Sequence, residues 1–282
     1  MTAQKRIAAI NDISGFGKCS LTVALPVISA CGVETVCLPT AVLSTHTGGF
    51  SAYTYRDLTG DMPAVMNHWK SLGLSFDAIY SGFLGSKEQI EIVKDFIALF
   101  KRERTLVIVD PSMADFGKMY SVFDMDFANK MTGLCALADI ILPNITEAAF
   151  MTSEKYAGTV QTREYIELLL EKLLAKGPGS VVLTGVSFQE DLLGIACKTK
   201  SDKEPQYYFQ KHLGGAYHGT GDVFASAFCG ALMNGFSVFE ASRIAVDYVC
   251  NCIERTKKVG DDIRYGVDFE RGIPFLLGEL GL

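Results

Sequence analysis

His218-Gly219-Thr220-Gly221-Asp222-Val223-Phe224-Ala225-Ser226-Ala227-Phe228 sets two glycines and a threonine directly before an aspartate, and the aspartate opens an apolar run of small residues with helical character. Glycine lets a backbone approach a ligand closely and adopt φ above zero, so the amide N–H groups of Gly219, Thr220 and Gly221 can turn toward one point. That point lies at the N-terminus of the following helix, where unpaired N–H groups and the macrodipole favour an anion. Asp222 itself reads in two ways. It is an ordinary first-turn helix carboxylate, or it is a proton acceptor beside an anion cradle, placed to deprotonate an alcohol that attacks a phosphoryl group.

Outward from this stretch, short β-rich apolar runs alternate with longer helical patterns. The strands are expected at 6–10, 35–38, 78–81, 105–110, 139–142, 180–184 and 206–209, and the helices at 20–30, 63–72, 87–101, 162–176, 222–234 and 238–257. This alternation predicts an α/β fold with a central, mostly parallel sheet flanked by helices. No linker, repeat or shift in composition interrupts it, so residues 1–282 are expected to form a single domain. Polar pairs follow five of the strands: Asn11-Asp12, Ser81-Gly82, Asp110-Pro111, Pro143-Asn144 and Thr184-Gly185. Ligands of open α/β sheets bind outside the carboxyl ends of the strands, so a shared site is expected there.

Composition narrows the partners. Of the 282 residues, 49% are hydrophobic and 21% charged, which is ordinary for a globular chain with a sizeable core. The net charge of −6 and the lack of any Lys/Arg-rich run exclude an electrostatic footprint for nucleic acid or an anionic membrane. The eight cysteines are scattered without a C-x-x-C, a pattern of buried reduced thiols rather than of zinc ligands or disulfides. The first apolar run is too short for a signal peptide, and the apolar stretch 21–43 is broken by Pro26, Glu34 and Pro39. A soluble, cytoplasmic protein is expected.

Three further stretches carry candidate chemistry. Ile10-Asn11-Asp12-Ile13-Ser14-Gly15-Phe16-Gly17-Lys18 has a G-x-G without a third glycine in register, and no acidic residue ends the next strand, which argues against a dinucleotide site. It leaves Asp12 and Ser14 to contact a polar group on a small substrate. Leu43-Ser44-Thr45-His46-Thr47-Gly48-Gly49-Phe50-Ser51 reads as a mobile loop covering that substrate, or as a plain surface loop. Asp110-Pro111-Ser112-Met113 and Pro143-Asn144-Ile145-Thr146-Glu147 each follow a strand. Asn144 and Glu147 share a face if a helix starts there, as oxygen donors for a hydrated Mg²⁺ or as a helix cap.

Taken together, these motifs resemble the ribokinase superfamily of small-molecule kinases, whose signature is Gly-x-Gly-Asp at the start of a late helix (Gly219–Asp222) with an upstream Asn-x-x-Glu (Asn144–Glu147). Within it the chain most resembles the vitamin B6 kinases, through Ser44–Gly48, Ser81–Gly85, Asp110–Met113, Asn144–Glu147 and Gly219–Asp222, over residues 6–260. The resemblance implies a ribokinase-like sheet with helices on both faces and a homodimer. It also implies ATP-dependent phosphorylation of the 5′-hydroxymethyl group of pyridoxal, pyridoxine or pyridoxamine, with Mg²⁺ and room for a monovalent cation.

It assigns Asp222 as base and Gly219, Thr220 and Gly221 as the anion hole, with Asn144 and Glu147 meeting the metal through water. Asp110, Thr184, Gly185, Gln210, Lys211 and His212 would lie along the nucleotide, and Asp12, Ser14, Thr47, Gly48, Ser81 and Asp222 around the ring. Several B6 kinases carry serine where this chain has Asp12. Hydroxymethylpyrimidine kinases of thiamine synthesis carry an aspartate near a Ser-Gly turn, as at Ser14-Gly15, and remain the alternative within enzymes. A non-catalytic ligand sensor of the same fold is the alternative from another class, and an intact Asp222 speaks against it.

Overall fold

Ile7-Ala8-Ala9-Ile10 is apolar on both faces of an extended chain, which suits a strand covered on either side by helices. In the computed structural model, which describes residues 4–260 and 262–282, it forms an interior strand of the sheet. Strand β1 (Arg6–Ser14) pairs in parallel with β2 (Glu34–Leu43) on one side and β4 (Ala78–Ser81) on the other. Beyond β4 the parallel sheet continues through β5 (Leu106–Val109), β8 (Ile140–Ile141) and β9 (Ser180–Val186). Antiparallel strands close both edges: β10 (Leu192–Thr199) and β11 (Gln206–Lys211) beside β9, and β3 (Tyr55–Asp57) beside β2. The order is β11-β10-β9-β8-β5-β4-β1-β2-β3, with a separate hairpin of β6 (Ala114–Asp115) and β7 (Lys118–Met119).

Helices cover both faces. Alternate residues of the strands feed two cores: Ile10, Ile79 and Val109 into one, Ala9, Tyr80 and Ile108 into the other. The first is covered by α2 (Met62–Ser71), α3 (Lys87–Phe100), α4 (Met125–Cys135), α5 (Ile145–Thr152) and α6 (Arg163–Leu174). The second is covered by α1 (Leu21–Ala30), α7 (Thr220–Met233), α8 (Val238–Val259) and α9 (Ile273–Leu280). Ser86, Asp124, Thr162 and Ser237 start their helices in the usual way, each side chain accepting the N–H three residues on.

The structure adds elements that composition alone does not mark. Helices α4, α5 and α9 and strands β3, β6, β7 and β10 fall outside the runs expected from the sequence. Strand β10 was hidden because Gly194 breaks its apolar run, and the backbone of β11 needs that gap: a Cβ there would lie 1.9 Å from the Tyr208 carbonyl oxygen. Strand β1 does not end at Ile10 but runs on to Ser14, with a register shift against β2 between Asn11 and Ile13.

Helix α7, which carries Asp222, is set on α1 by a close approach. A Cβ on Gly230 would meet the Cys31 sulfur at 2.5 Å and its Cβ at 2.9 Å. Gly230→Ala is therefore expected to lower stability by about 1–3 kcal/mol through overpacking, against the usual gain of alanine over glycine in a helix. Urea denaturation of Gly230→Ala, with and without Cys31→Ala, checks this: the second substitution should restore part of the loss.

Candidate active site

Polar side chains at the end of β1 satisfy one another, which keeps the chain extended past its apolar part. The Asn11 carboxamide oxygen accepts the Asp12 N–H at 3.0 Å. The Ser14 hydroxyl donates to one Asp12 carboxylate oxygen at 3.0 Å, and the Ser20 hydroxyl donates to the other. Asp12 is only 4% exposed, and burial raises its pKa against the pull of these hydroxyls.

Across from it, α7 begins at Gly219, whose φ of 75° and lack of a side chain allow the Lys18 carbonyl to pack where a Cβ would lie 2.2 Å away. The first helical bond runs from the Val223 N–H to the Gly219 carbonyl at 3.0 Å, so the preceding N–H groups lie outside the helical ladder. The Thr220 hydroxyl is turned back to the Tyr217 carbonyl at 3.1 Å. Asp222 does not cap its own helix. Its half-buried side chain accepts from the Asn11 amide at 3.5 Å, and the Ser20 backbone faces it and favours the charged form. Burial, with a smaller push from the Asp12 charge, raises its carboxyl to about 7, while these two neighbours pull the other way. A carboxylate so placed accepts a proton near neutral pH, beside N–H groups that suit an anion.

A second acidic group lies at the ends of β5 and β8. Asn144 and Glu147 form a reciprocal capping box on α5: the Asn144 side chain accepts the Glu147 N–H at 2.9 Å, and Glu147 accepts the Asn144 N–H at 2.9 Å. The other Glu147 oxygen accepts the Met113 N–H at 2.8 Å, and the Asn144 amide donates to the Ala114 carbonyl at 2.8 Å, which stitches the β6–β7 hairpin to the helix. Burial raises Glu147 to about 7. Asp110 has a single N–H partner, Ser112 at 3.3 Å. Burial and then the charges of Glu147 and Asp222 drive its pKa well above the usual carboxylate range. No group of three His, Cys, Asp or Glu among the described residues is arranged to grip a metal ion directly.

The 44–51 loop, expected to be mobile, is fastened in this state. His46 Nδ1 accepts the Gly48 N–H at 3.1 Å, so Nε2 carries the proton it donates to the Arg264 carbonyl at 2.6 Å. Phe50 stacks on Tyr265, and Gly48 leaves space for the His218 ring. Thr47 is exposed and Gly48 half-buried at this cover.

Thus Asp12, Ser14, Thr47, Gly48 and Gly219–Asp222 gather at one end of the site, and Asp110, Asn144, Glu147 and Thr184 at the other, where Thr184 pairs with Asn144. Gly185, exposed with φ 75°, follows Thr184. Ser81 is 1% exposed and its hydroxyl has no partner among the described residues. Gln210, Lys211 and His212 lie at the far β11 edge, where the Gln210 amide is taken by Asp247 at 2.7 Å. Residues the sequence did not single out also belong to the site. Asn11 and Ser20 hold Asp222, and His46, His218 and Arg264 build the cover. The two histidines stood inside quoted motifs, whereas Ser20 was only the first residue of an expected helix.

A family model described as phosphomethylpyrimidine kinase matches residues 24–266. Pyridoxal kinase PdxY of Actinobacillus pleuropneumoniae is 30% identical over 193 residues, an alignment that spans 65% of each protein and so less than two thirds of that kinase. A Bacteroides thetaiotaomicron protein, described as a candidate phosphomethylpyrimidine kinase and solved with pyridoxal, superposes with a TM-score of 0.92 at 37% identity, over 97% of this chain and 96% of that one. Pyridoxal kinase from Lactobacillus plantarum superposes with a TM-score of 0.89 at 31% identity, over 98% of both chains.

The raised Asp222 pKa has a consequence for stability. Its folded value of about 7 lies above the ordinary 3.8, so its contribution is fully favourable below 3.8 and is lost as pH rises through about 7. Asp222→Asn removes that penalty and keeps an acceptor for Asn11. Thermal melts should show the variant more stable than the parent by about 2–6 °C at pH 8, with the gain shrinking toward pH 4. A gain independent of pH would contradict the raised pKa.

Proposed function

The chain belongs to the phosphomethylpyrimidine kinase family, with a ribokinase-like fold, and from that premise we propose that it transfers the γ-phosphoryl group of ATP to the 5′-hydroxymethyl group of a B6 vitamer. The observation that carries this reading is the first turn of α7, where the Gly219–Gly221 N–H groups and the Asp222 carboxyl, poised near 7, occupy one turn. The resemblance to a relative solved with pyridoxal, over nearly the whole of both chains, supports the ring.

In this reading the alcohol oxygen attacks the γ-phosphorus as its proton passes to Asp222. The new O–P bond forms while the bond from the γ-phosphorus to the β–γ bridging oxygen breaks, and ADP leaves. The Gly219–Gly221 amides stabilise the charge on the transferring group, which is where most phosphoryl-transfer catalysis lies. His46, Thr47 and Gly48 cover the site and limit the access of water. Asp12, with both oxygens already engaged, is better suited to orienting Ser14 and Ser20 and to tuning Asp222 than to holding the ring alone. The nucleotide would extend past Asn144 and Thr184 toward β11.

Mg²⁺ would neutralise the phosphates, with its water shell near Asp110, Asn144 and Glu147. Asp110 has the most accepting capacity left, since both Glu147 oxygens already take N–H groups. A homodimer, a cytoplasmic location and an optional monovalent cation complete the proposal and rest on the family resemblance. A hydroxymethylpyrimidine as acceptor is the second reading, favoured by the description of the family model and by Asp12.

ATP consumption with pyridoxal, pyridoxine, pyridoxamine and hydroxymethylpyrimidine tests the acceptor; faster turnover of the pyrimidine at low concentration would move the assignment to the second reading. For the base, kcat should rise with pH through a midpoint near 7. Asp222→Asn should lower kcat by about 10²–10⁴-fold. For the metal, Asp110→Asn should shift the Mg²⁺ titration of activity to higher concentration, whereas Glu147→Gln should chiefly loosen the β6–β7 hairpin, read by faster amide exchange at Met113 and Ala114. An unmoved Mg²⁺ titration in Asp110→Asn would remove Asp110 from the water shell.

A further inference from the structure

Ser20 stands where a helix N-cap belongs, and it does not act as one. A capping serine ordinarily lies in the β region with its hydroxyl on the N–H of the second or third helical residue. Ser20 has φ 57° and ψ −134°, a conformation that side-chain-bearing residues rarely adopt, and its side chain makes no cap bond to α1. The turn leading to it is distorted as well, with Gly17 at φ 110° and Lys18 at φ 50°. Strain in a buried turn persists only where surrounding contacts over-determine it, and those contacts are visible: the Ser20 hydroxyl is spent on Asp12, and its backbone bridges to Ile13.

The distorted turn touches both halves of the phosphoryl-transfer machinery. Its Ser20 backbone faces the Asp222 carboxyl and favours the charged form. Its Lys18 carbonyl and Cys19 sulfur press on Gly219, where a Cβ would lie 2.2 Å and 3.2 Å from them. We propose that Ser20 is a positioning residue: anchored by its hydroxyl to Asp12, it holds a strained turn that fixes the Asp222 carboxylate and the Gly219 amide in mutual register. The ordinary cap geometry would turn this backbone away from Asp222 and withdraw the turn from Gly219. Asp12 thereby acts through Ser20 rather than through direct contact with the reacting atoms. This inference rests on the reading of Asp222 as the base. The other groups facing Asp222 are Asp12 from β1, Cys19 from the turn, Tyr80 from β4, Asp110 after β5 and Tyr120 after β7.

Ser20→Gly and Ser20→Ala in the full chain test it, assayed with pyridoxine and Mg·ATP beside Asp222→Asn. Glycine relieves the backbone strain and removes the anchor, so Ser20→Gly should fold with stability equal to or above the parent; it carries the test even if the alanine variant, which keeps the strain, folds poorly. The expected result is a fall in kcat on the order of 10- to 100-fold, with both KM values within about two-fold of the parent. The acid limb of the kcat profile should move up from about 7 by about one pH unit, the equivalent of one lost hydrogen bond to the carboxylate. Parent-like kcat with an unmoved midpoint in Ser20→Gly, while Asp222→Asn is inactive, would overturn the positioning role alone. So would a loss spread equally over kcat and both KM values with no shift in pH. Parent-like turnover in Asp222→Asn would overturn the base and this proposal together.

Discussion

The constraint on which this structure depends is the burial of negative charge at the carboxyl edge of the sheet without a cation to balance it. Asp12, Asp110, Glu147 and Asp222 all have raised pKa values, and in each the leading cause is loss of water. The ion pairs of the described residues, such as Lys18 with Glu270 and Arg243 with Asp247, lie elsewhere. The four carboxyls are held instead by neutral donors: hydroxyls on Asp12, backbone N–H groups on Glu147 and Asp110, the Asn11 amide on Asp222. Neutral donors satisfy the lone pairs without supplying charge, so the electrostatic tension stays in the fold. That tension brings Asp222 to a useful pKa, and it is also a stability cost that an asparagine would relieve.

Local structure follows from how each carboxyl finds its donors. Strand β1 runs on to Ser14 because Asn11, Asp12 and Ser14 bond among themselves. The β6–β7 hairpin stays docked because Glu147 and Asn144, having capped α5, reach a further N–H and carbonyl on Met113 and Ala114. One pair of side chains thus ends a strand, starts a helix and holds a flap. The two readings of Asn144 and Glu147 open at the sequence, cap or ion holder, are therefore unequal in what the geometry leaves free. The cap consumes nearly all of their capacity, and Asp110 has more to offer an ion's water.

The sheet and the helices on both faces were legible because periodicity survives without any tertiary knowledge: Ile7–Ile10 and Ile79–Tyr80 are apolar wherever they are placed. The start of α7 was legible because Gly219, Thr220, Gly221 and Asp222 are adjacent in sequence, so local geometry alone predicts the turn into the helix. What sequence could not show is contact at long range. Ser20 reaches Asp222 across two hundred residues, His46 reaches the Arg264 carbonyl, and neither pairing leaves a local pattern. Short strands failed for a related reason. Tyr55–Asp57 and Lys118–Met119 are extended because neighbours pair with them, not because their own composition demands it.

The same electrostatics constrain how a phosphate ligand can enter. An anion approaching the carboxyl edge meets four acidic side chains, and their ionised forms would repel it. Burial raises the pKa of both Glu147 and Asp222, which favours the protonated form when a negative group arrives. Asp110, pushed furthest by its neighbours, is the group whose ionisation most needs a cation beside it. Under the proposed reaction, phosphate bound at the Gly219–Gly221 amides and a counter-cation near Asp110 would each favour the other's arrival, because each cancels charge that the fold leaves unbalanced. The base would then ionise most readily once that cancellation is complete, which orders charge at the site without any large movement of the sheet that holds it.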